Sequence, residues 1–209
     1  VGAVAKIGAN TYASLAAAVK AAAAGATIEL TDDDASEQKI TIDKNLSIEL
    51  NGHNLPKTCF TITHGTVSIR NSAADGGEIN KDSEIVADKV SDSVSTSYSL
   101  INDIRATISV FGDAQVTLHN LNVGSSGAVV EANPKLKPVY IGGSGAKLTI
   151  NGGSYVGKKT EGTDGIFFYN GGDSELTINA GYFEGNCGLS VYPKPDTSKL
   201  HIVGGRFVG

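Results

Sequence analysis

An all-β chain wound as a right-handed parallel β-helix is what this sequence predicts, on three observations. The first is a phrase said four times. Gln115 to Gly124 returns as Lys147 to Gly157, as Glu175 to Gly185 and as Lys199 to Gly209. Val116, Leu148, Leu176 and Leu200 mark its register, at intervals of 32, 28 and 24 residues. A constant phrase at a shrinking interval is a repeat architecture with insertions on one side. The second is spacing. Each copy sets apolar residues two apart (Leu176 and Ile178), then a bend, then a glycine and an apolar residue (Gly181 and Phe183). Period two is strand geometry. The third is glycine, 26 of 209 residues or about 12%, against an ordinary 7% or so. The excess falls between strands, where corners need positive φ.

The rest of the architecture follows from that phrase. A hairpin is excluded, because each strand must reach the next copy. A helix is excluded by the spacing and by the crowding of Thr, Gly and Asn. Stacking the copies in register gives neighbouring coils one strand spacing apart, about 4.8 Å. A third strand per coil reads upstream of each phrase: Ile108 with Val110, Val139 with Ile141, Ile166 with Phe168, Leu189 with Val191. Earlier coils are supplied by Phe60/Ile62, Val67/Ile69 and Ile79, by Ile40/Ile42 with Ile48/Leu50, and by Ile28/Leu30. The count is three strands per coil and roughly six coils in one domain, residues 1–209.

Residues 1–25 form a separate opening. Val4 to Ile7 reads as a strand and Gly8-Ala9-Asn10 as a turn. Thr11 or Ser14 then N-caps a short helix running through Leu15, Ala18, Val19 and Ala22 to Gly25. Its expected role is to cover the open end of the coils. Residues 26–209 are the coils. The Ser- and Asp-rich stretch of about 81–105 breaks the rhythm and is expected to extrude as a loop or flap.

Composition narrows the function. The net charge of -5 comes without a basic block, so neither nucleic acid nor an anionic membrane is an expected partner. No run of 18 apolar residues exists, and a soluble chain is expected. With no Met anywhere, Val1 is not a translation start, and processing or excision from something longer is expected. Cys59 and Cys187 stand about four coils apart, near ~19 Å. That is beyond disulfide reach, so both are expected to be unbridged.

Two outer faces carry candidate chemistry. With the third-strand pairs inward, Tyr140 and Phe167 fall in one outward column and Tyr169 and Tyr192 in the next. Exposed aromatics in a strip would stack on sugar rings, beside a wall made by the connections 124–137, 157–165 and 184–188. The competing account packs them under those loops or against another part of a longer chain. The other face reads Ser68, Thr117, Thr149, Thr177 and His201, then Arg70, His119, Asn151, Asn179 and Val203. Like side chains stacked this way form ladders. His119 and His201 have no carboxylate or cysteine at ligand spacing, and Asp32-Asp33-Asp34 lacks the alternation of a calcium loop. No metal and no cofactor is expected, and the three aspartates read as a turn after a strand.

The series Ala5-Lys6-Ile7-Gly8, Tyr12-Ala13-Ser14-Leu15, Ala26-Thr27-Ile28-Glu29-Leu30, Ile40-Thr41-Ile42 and Leu46 to His53 resembles the opening of pectin-lyase-like β-helix modules. The resemblance implies a secreted or cell-surface protein of gut-type bacteria, in a superfamily that holds enzymes, adhesins and modules of unassigned purpose. Thr163-Asp164-Gly165-Ile166 resembles the polygalacturonase motif Asn-Thr-Asp-Gly-Ile. One coil later, where that family carries paired aspartates, this chain reads Gly185-Asn186-Cys187-Gly188-Leu189. Glycoside hydrolysis needs two carboxylates at a set separation, and only Asp164 remains. A lyase would draw on Lys158, Lys159 and Asp164, which share one loop.

The expectation is therefore a non-catalytic extracellular module, for adhesion or polysaccharide contact on the face that carries Tyr140, Phe167, Tyr169 and Tyr192. The alternatives are a carbohydrate-active enzyme in the same groove, or a structural spacer in a larger surface protein. The last phrase, Gly205 to Gly209, carries no polar cap. Further coils, a second domain or self-association are expected to cover it, and a chain that stays monomeric at high concentration would count against that.

Overall fold

The computed structural model describes residues 2–82, 85–90, 104–126, 135–157, 164–169, 173–192 and 199–209. The chain is mostly β, with parallel strands in two sheets and one helix.

At the N-terminus, β1 (Ala5–Ile7) and β2 (Asn10–Tyr12) pair antiparallel across the predicted turn. Ser14 is the N-cap of α1 (Leu15–Ala21) and accepts from Ala17 N–H at 3.1 Å. Two more of the helix's unpartnered donors are met from the strands below. Leu15 N–H donates to Asp34 Oδ2 at 2.7 Å, and Ala16 N–H donates to Gln38 Oε1 at 2.7 Å. Gln38 Nε2 in turn donates to Asp34 Oδ2 at 2.8 Å, so the carboxylate sits buried at the positive end of the helix. Asp34 is therefore more than a turn residue. The helix ends at Ala21, short of the expected Gly25: Ala22 is its extended C-cap, and the Ala22 carbonyl accepts from Lys44 Nζ at 2.6 Å.

From there the chain alternates between the sheets. β3 (Ala26–Leu30), β5 (Leu46–Glu49), β7 (Thr66–Arg70), β10 (Gln115–Gly124), β12 (Lys147–Val156), β14 (Glu175–Glu184) and β16 (Leu200–Ile202) lie side by side in the larger sheet. β4 (Gln38–Ile42), β6 (Thr58–Ile62), β9 (Ile104–Val110), β11 (Lys135–Ile141), β13 (Ile166–Tyr169) and β15 (Leu189–Tyr192) make the smaller one. β8 (Glu78–Ile79) and β17 (Arg206–Val208) join the larger sheet against the second halves of β10 and β14. Each return sets the chain one strand further along. The register is the one the phrase predicts: Val116 pairs with Leu148, Leu148 with Leu176, and Leu176 with Leu200.

The two short strands expected in each phrase are single ten-residue strands in β10, β12 and β14, bent in the middle. The bends use positive φ at Asn120, at Gly152 and Gly153, and at Gly181. At Gly153 a side chain is excluded outright, since a Cβ would stand 2.3 Å from the Leu121 carbonyl oxygen.

The core lies between the sheets. Ile40, Ile42, Phe60, Ile62, Ile108, Val110, Val139, Ile141, Ile166 and Phe168 are buried from one side, and Ile28, Ile48, Ile69, Leu118, Ile150 and Ile178 from the other. Leu189 and Val191 are half-buried. Beyond the bends, Tyr155, Phe183 and Phe207 stack at 5.2 and 5.0 Å between ring centroids. Such pairs contribute about 0.5–1.5 kcal/mol each beyond area burial. In the last copy Ile202, Val203 and Phe207 are exposed.

Candidate functional site

The smaller sheet sets the predicted aromatic strip in register. Tyr140 pairs with Phe167, and Tyr169 pairs with Tyr192. The side chains of Phe167 and Tyr169 lie outside the described residues, and Tyr192 is half-buried. Tyr140 departs from expectation. It is 0% exposed, packed with Ile104 and Ala106 and against Val90 and Phe111. It offers no open face to a sugar.

What covers it comes from the stretch expected to extrude. Ile85 to Val90 folds back against the small sheet. Ile85 and Ala87 pack on Cys59, and Val90 N–H donates to Ile104 O at 2.8 Å. Asn80, buried and held at φ 45, anchors the start of the flap: its Oδ1 accepts from Ile85 N–H and its Nδ2 donates to Ile85 O, both at 3.2 Å. Further along, Ala87 N–H donates to Ser126 Oγ, Arg105 donates to Ala87 O at 3.1 Å, and Asp88 pairs with Lys39 at 2.7 Å. Burial pushes the Cys59 thiol up to about 12, so it is inert at neutral pH. Both cysteines are unbridged, Cys59 buried and Cys187 exposed. The apolar pair Ile85 and Ala87, two apart in a Ser- and Asp-rich stretch, was the signal for this strap.

Among the lyase candidates, Lys158 and Lys159 lie outside the described residues. Asp164 is described and is 6% exposed. Its Oδ2 takes Lys137 Nζ in an ion pair, and its Oδ1 accepts from Cys187 N–H at 3.2 Å. Lys137 is itself 1% exposed. A carboxylate committed to an ammonium and a backbone donor is a poor general acid or base. It ties the approach to β13 to β11 and to the turn before β15. Nothing in the sequence around Lys137 marks it as that partner, 27 residues away.

The larger sheet carries the polar ladder. Thr27, Ser47, Ser68, Thr117, Thr149, Thr177 and His201 follow one another strand to strand. In the neighbouring column Arg70, His119 and Asn151 pair as expected, but the register shifts and Asn151 lies opposite Ala180. Asn179 Nδ2 still donates to Asn151 Oδ1 at 2.7 Å. Two carboxylates punctuate the face. Glu175 lies 3.4 Å from His201 Nε2 and 3.5 Å from Lys147, so His201 does have an acidic neighbour. Glu49 holds Arg70 at 2.7 Å and accepts from the N–H groups of Asn51 and Ser72 at 2.9 and 3.0 Å. Burial pushes the Glu49 carboxyl up, but those donors and the guanidinium outweigh it and hold the group below its ordinary value.

Among the described residues no group of three or more His, Cys, Asp or Glu is placed to hold a metal ion, and no helix is long and apolar enough to cross a membrane. Comparison with protein-family models, with curated proteins and with solved structures returns no match.

Proposed function

We propose that the chain is a right-handed parallel β-helix module of the pectin-lyase-like type, displayed on or secreted from a bacterial cell, and that it contacts polysaccharide without catalysis. The parallel pairing of successive returns supports the winding, and crossovers between parallel strands are right-handed in nearly all proteins. The observation that carries the non-catalytic reading is the commitment of Asp164 to Lys137 and Cys187. It removes the one carboxylate that matches a hydrolase motif.

The contact surface is the C-terminal half of the small sheet's outer face, on β13 and β15. The N-terminal half is covered by Ile85 to Val90. Tyr169 and Tyr192 are adjacent in register there, with Phe167 one column over. The exposed edge at Ile202, Val203 and Phe207 is where further coils or a second copy would add.

The test is a binding screen of the chain and a Tyr169→Ala/Tyr192→Ala variant against immobilised plant and host glycans. The mixtures are followed for new reducing ends and for the ultraviolet absorbance of lyase products. Binding that disappears in the variant, without product, is expected. Product formation would overturn the non-catalytic reading, and binding that survives the double substitution would move the contact elsewhere.

A further inference from the structure

We propose that the free edge of β4, with the adjoining wall of α1, takes an extended acidic peptide by strand addition. β4 is the outermost strand of the small sheet and pairs only with β6 among the described strands. Gln38 N–H donates to Lys57 O at 2.8 Å, and Ile42 O accepts from Thr63 N–H at 2.9 Å. Gln38, Ile40 and Ile42 therefore turn their backbone groups toward β6. Alternation along the strand turns the N–H and C=O groups of Lys39 and Thr41 the other way.

That side opens into a cleft of about 280 Å³ between α1 and β4, with Ala16, Val19 and Ile40 as its apolar lining. A row of backbone donors and acceptors on an open edge is a template for another strand unless something covers it. α1 reaches the N-terminal end of the edge, where Ala16 N–H meets the Gln38 side chain. The stretch beside Lys39 and Thr41 is left to the cleft.

Charge selects the occupant. Lys20, Lys39 and Lys44 line the cleft with Asp43, Lys44 donating to the Ala22 carbonyl, on a chain whose net charge is -5. Lys39 already donates to one carboxylate, that of Asp88, so a peptide carboxylate there would share or displace that pair. A peptide laid along β4 would complete the backbone ladder and send alternate side chains toward the lysines. An anionic glycan would meet the lysines but leave the strand edge unpaired. The inference stands apart from the glycan reading, which concerns β13 and β15.

Two labelled hexapeptides, alternating Val with Glu or Val with Lys, are titrated into the full chain by fluorescence anisotropy at low and high salt. Amide exchange is read at Lys39 and Thr41. Thr41→Pro deletes an outward donor and leaves the β6 side intact, a substitution edges tolerate. Lys20→Glu/Lys39→Glu reverses the charge, and circular dichroism confirms that both variants fold. Saturable binding of the Glu peptide is expected, weakened about tenfold by either change and by salt, with exchange at both amides slowed. No binding, equal binding of the Lys peptide, or an affinity indifferent to Thr41→Pro would each overturn the proposal. So would oligogalacturonate displacing the peptide with equal strength from the chain and from Thr41→Pro, which would make the cleft a charge site and not a strand site.

Discussion

Replacing Asp164 with Asn separates a structural ion pair from a reacting group. The change keeps the side chain's size and its capacity to accept from Cys187 N–H, and it removes the charge that faces Lys137. Lys137 is 1% exposed, so its ammonium would lose, out of water, the carboxylate that faces it. Removing one partner of a buried pair costs about 3–5 kcal/mol, a large share of the ~5–15 kcal/mol that a domain has in total. Lys137→Met makes the same break from the other side. The double variant Lys137→Met/Asp164→Asn buries neither charge and is expected to lose about 1–2 kcal/mol, the cost of one neutral amide left without its partner. The two single losses then far exceed the double, a coupling of several kcal/mol between neighbours. Urea unfolding followed by far-ultraviolet circular dichroism reads all four proteins, provided the slopes agree. A loss below ~1 kcal/mol for Asp164→Asn, or a double variant as unstable as the sum of the singles, would refute the reasoning. Asp164 would then be a solvated acid, and the non-catalytic proposal would lose its main support.

Two further expectations concern side chains outside that pair. In the native chain one thiol, Cys187, reacts with a disulfide reagent at neutral pH and the second, Cys59, reacts only on denaturation; two fast thiols would mean that Ile85 and Ala87 do not cover Cys59. Glu49 sets a pH dependence: because its folded value is depressed, its contribution is present above the unfolded value near 4.5 and is lost as pH falls through the folded one. Glu49→Gln is expected to destabilise by about 1–2 kcal/mol at neutral pH and to flatten the acid limb of a stability–pH curve, and an unchanged limb would assign that slope to other carboxyls.

Register was legible in the sequence because the repeat writes it down. Val116, Leu148, Leu176 and Leu200 can be aligned by eye, and the pairing follows them. What lies over a face was not legible. Alternation fixes the backbone column of Tyr140, yet only the fold shows Val90 and Ile104 closing over it. The same limit applies to Asp34, whose carboxylate serves a helix start 19 residues earlier. An acidic triplet after a strand looks like a turn until that helix is placed above it. The helix end was misplaced for a related reason. An alanine run carries no stop signal of its own, and Lys44, which meets the Ala22 carbonyl, arrives from the strands.

These cases share a cause, and it bears on where function can lie in such a chain. When each return is locked beside the last by backbone pairing, the strands have little freedom to shape a site. The insertions between them decide which face stays open. Ile85 to Val90 closes the N-terminal half of the small-sheet face, and the Lys137–Asp164 pair cross-links β11 to the approach to β13. Among the described residues, the outer side of β15, where Tyr192 is half-buried, and the lateral edge of β4 are two places in that sheet not closed in this way. The first presents side chains, as the proposed stacking contact needs. The second presents backbone and suits a ligand that is itself a strand. The two proposed surfaces would take different partners, so a substitution on β15 should leave peptide binding at the β4 cleft unchanged, and Thr41→Pro should leave the proposed glycan contact unchanged.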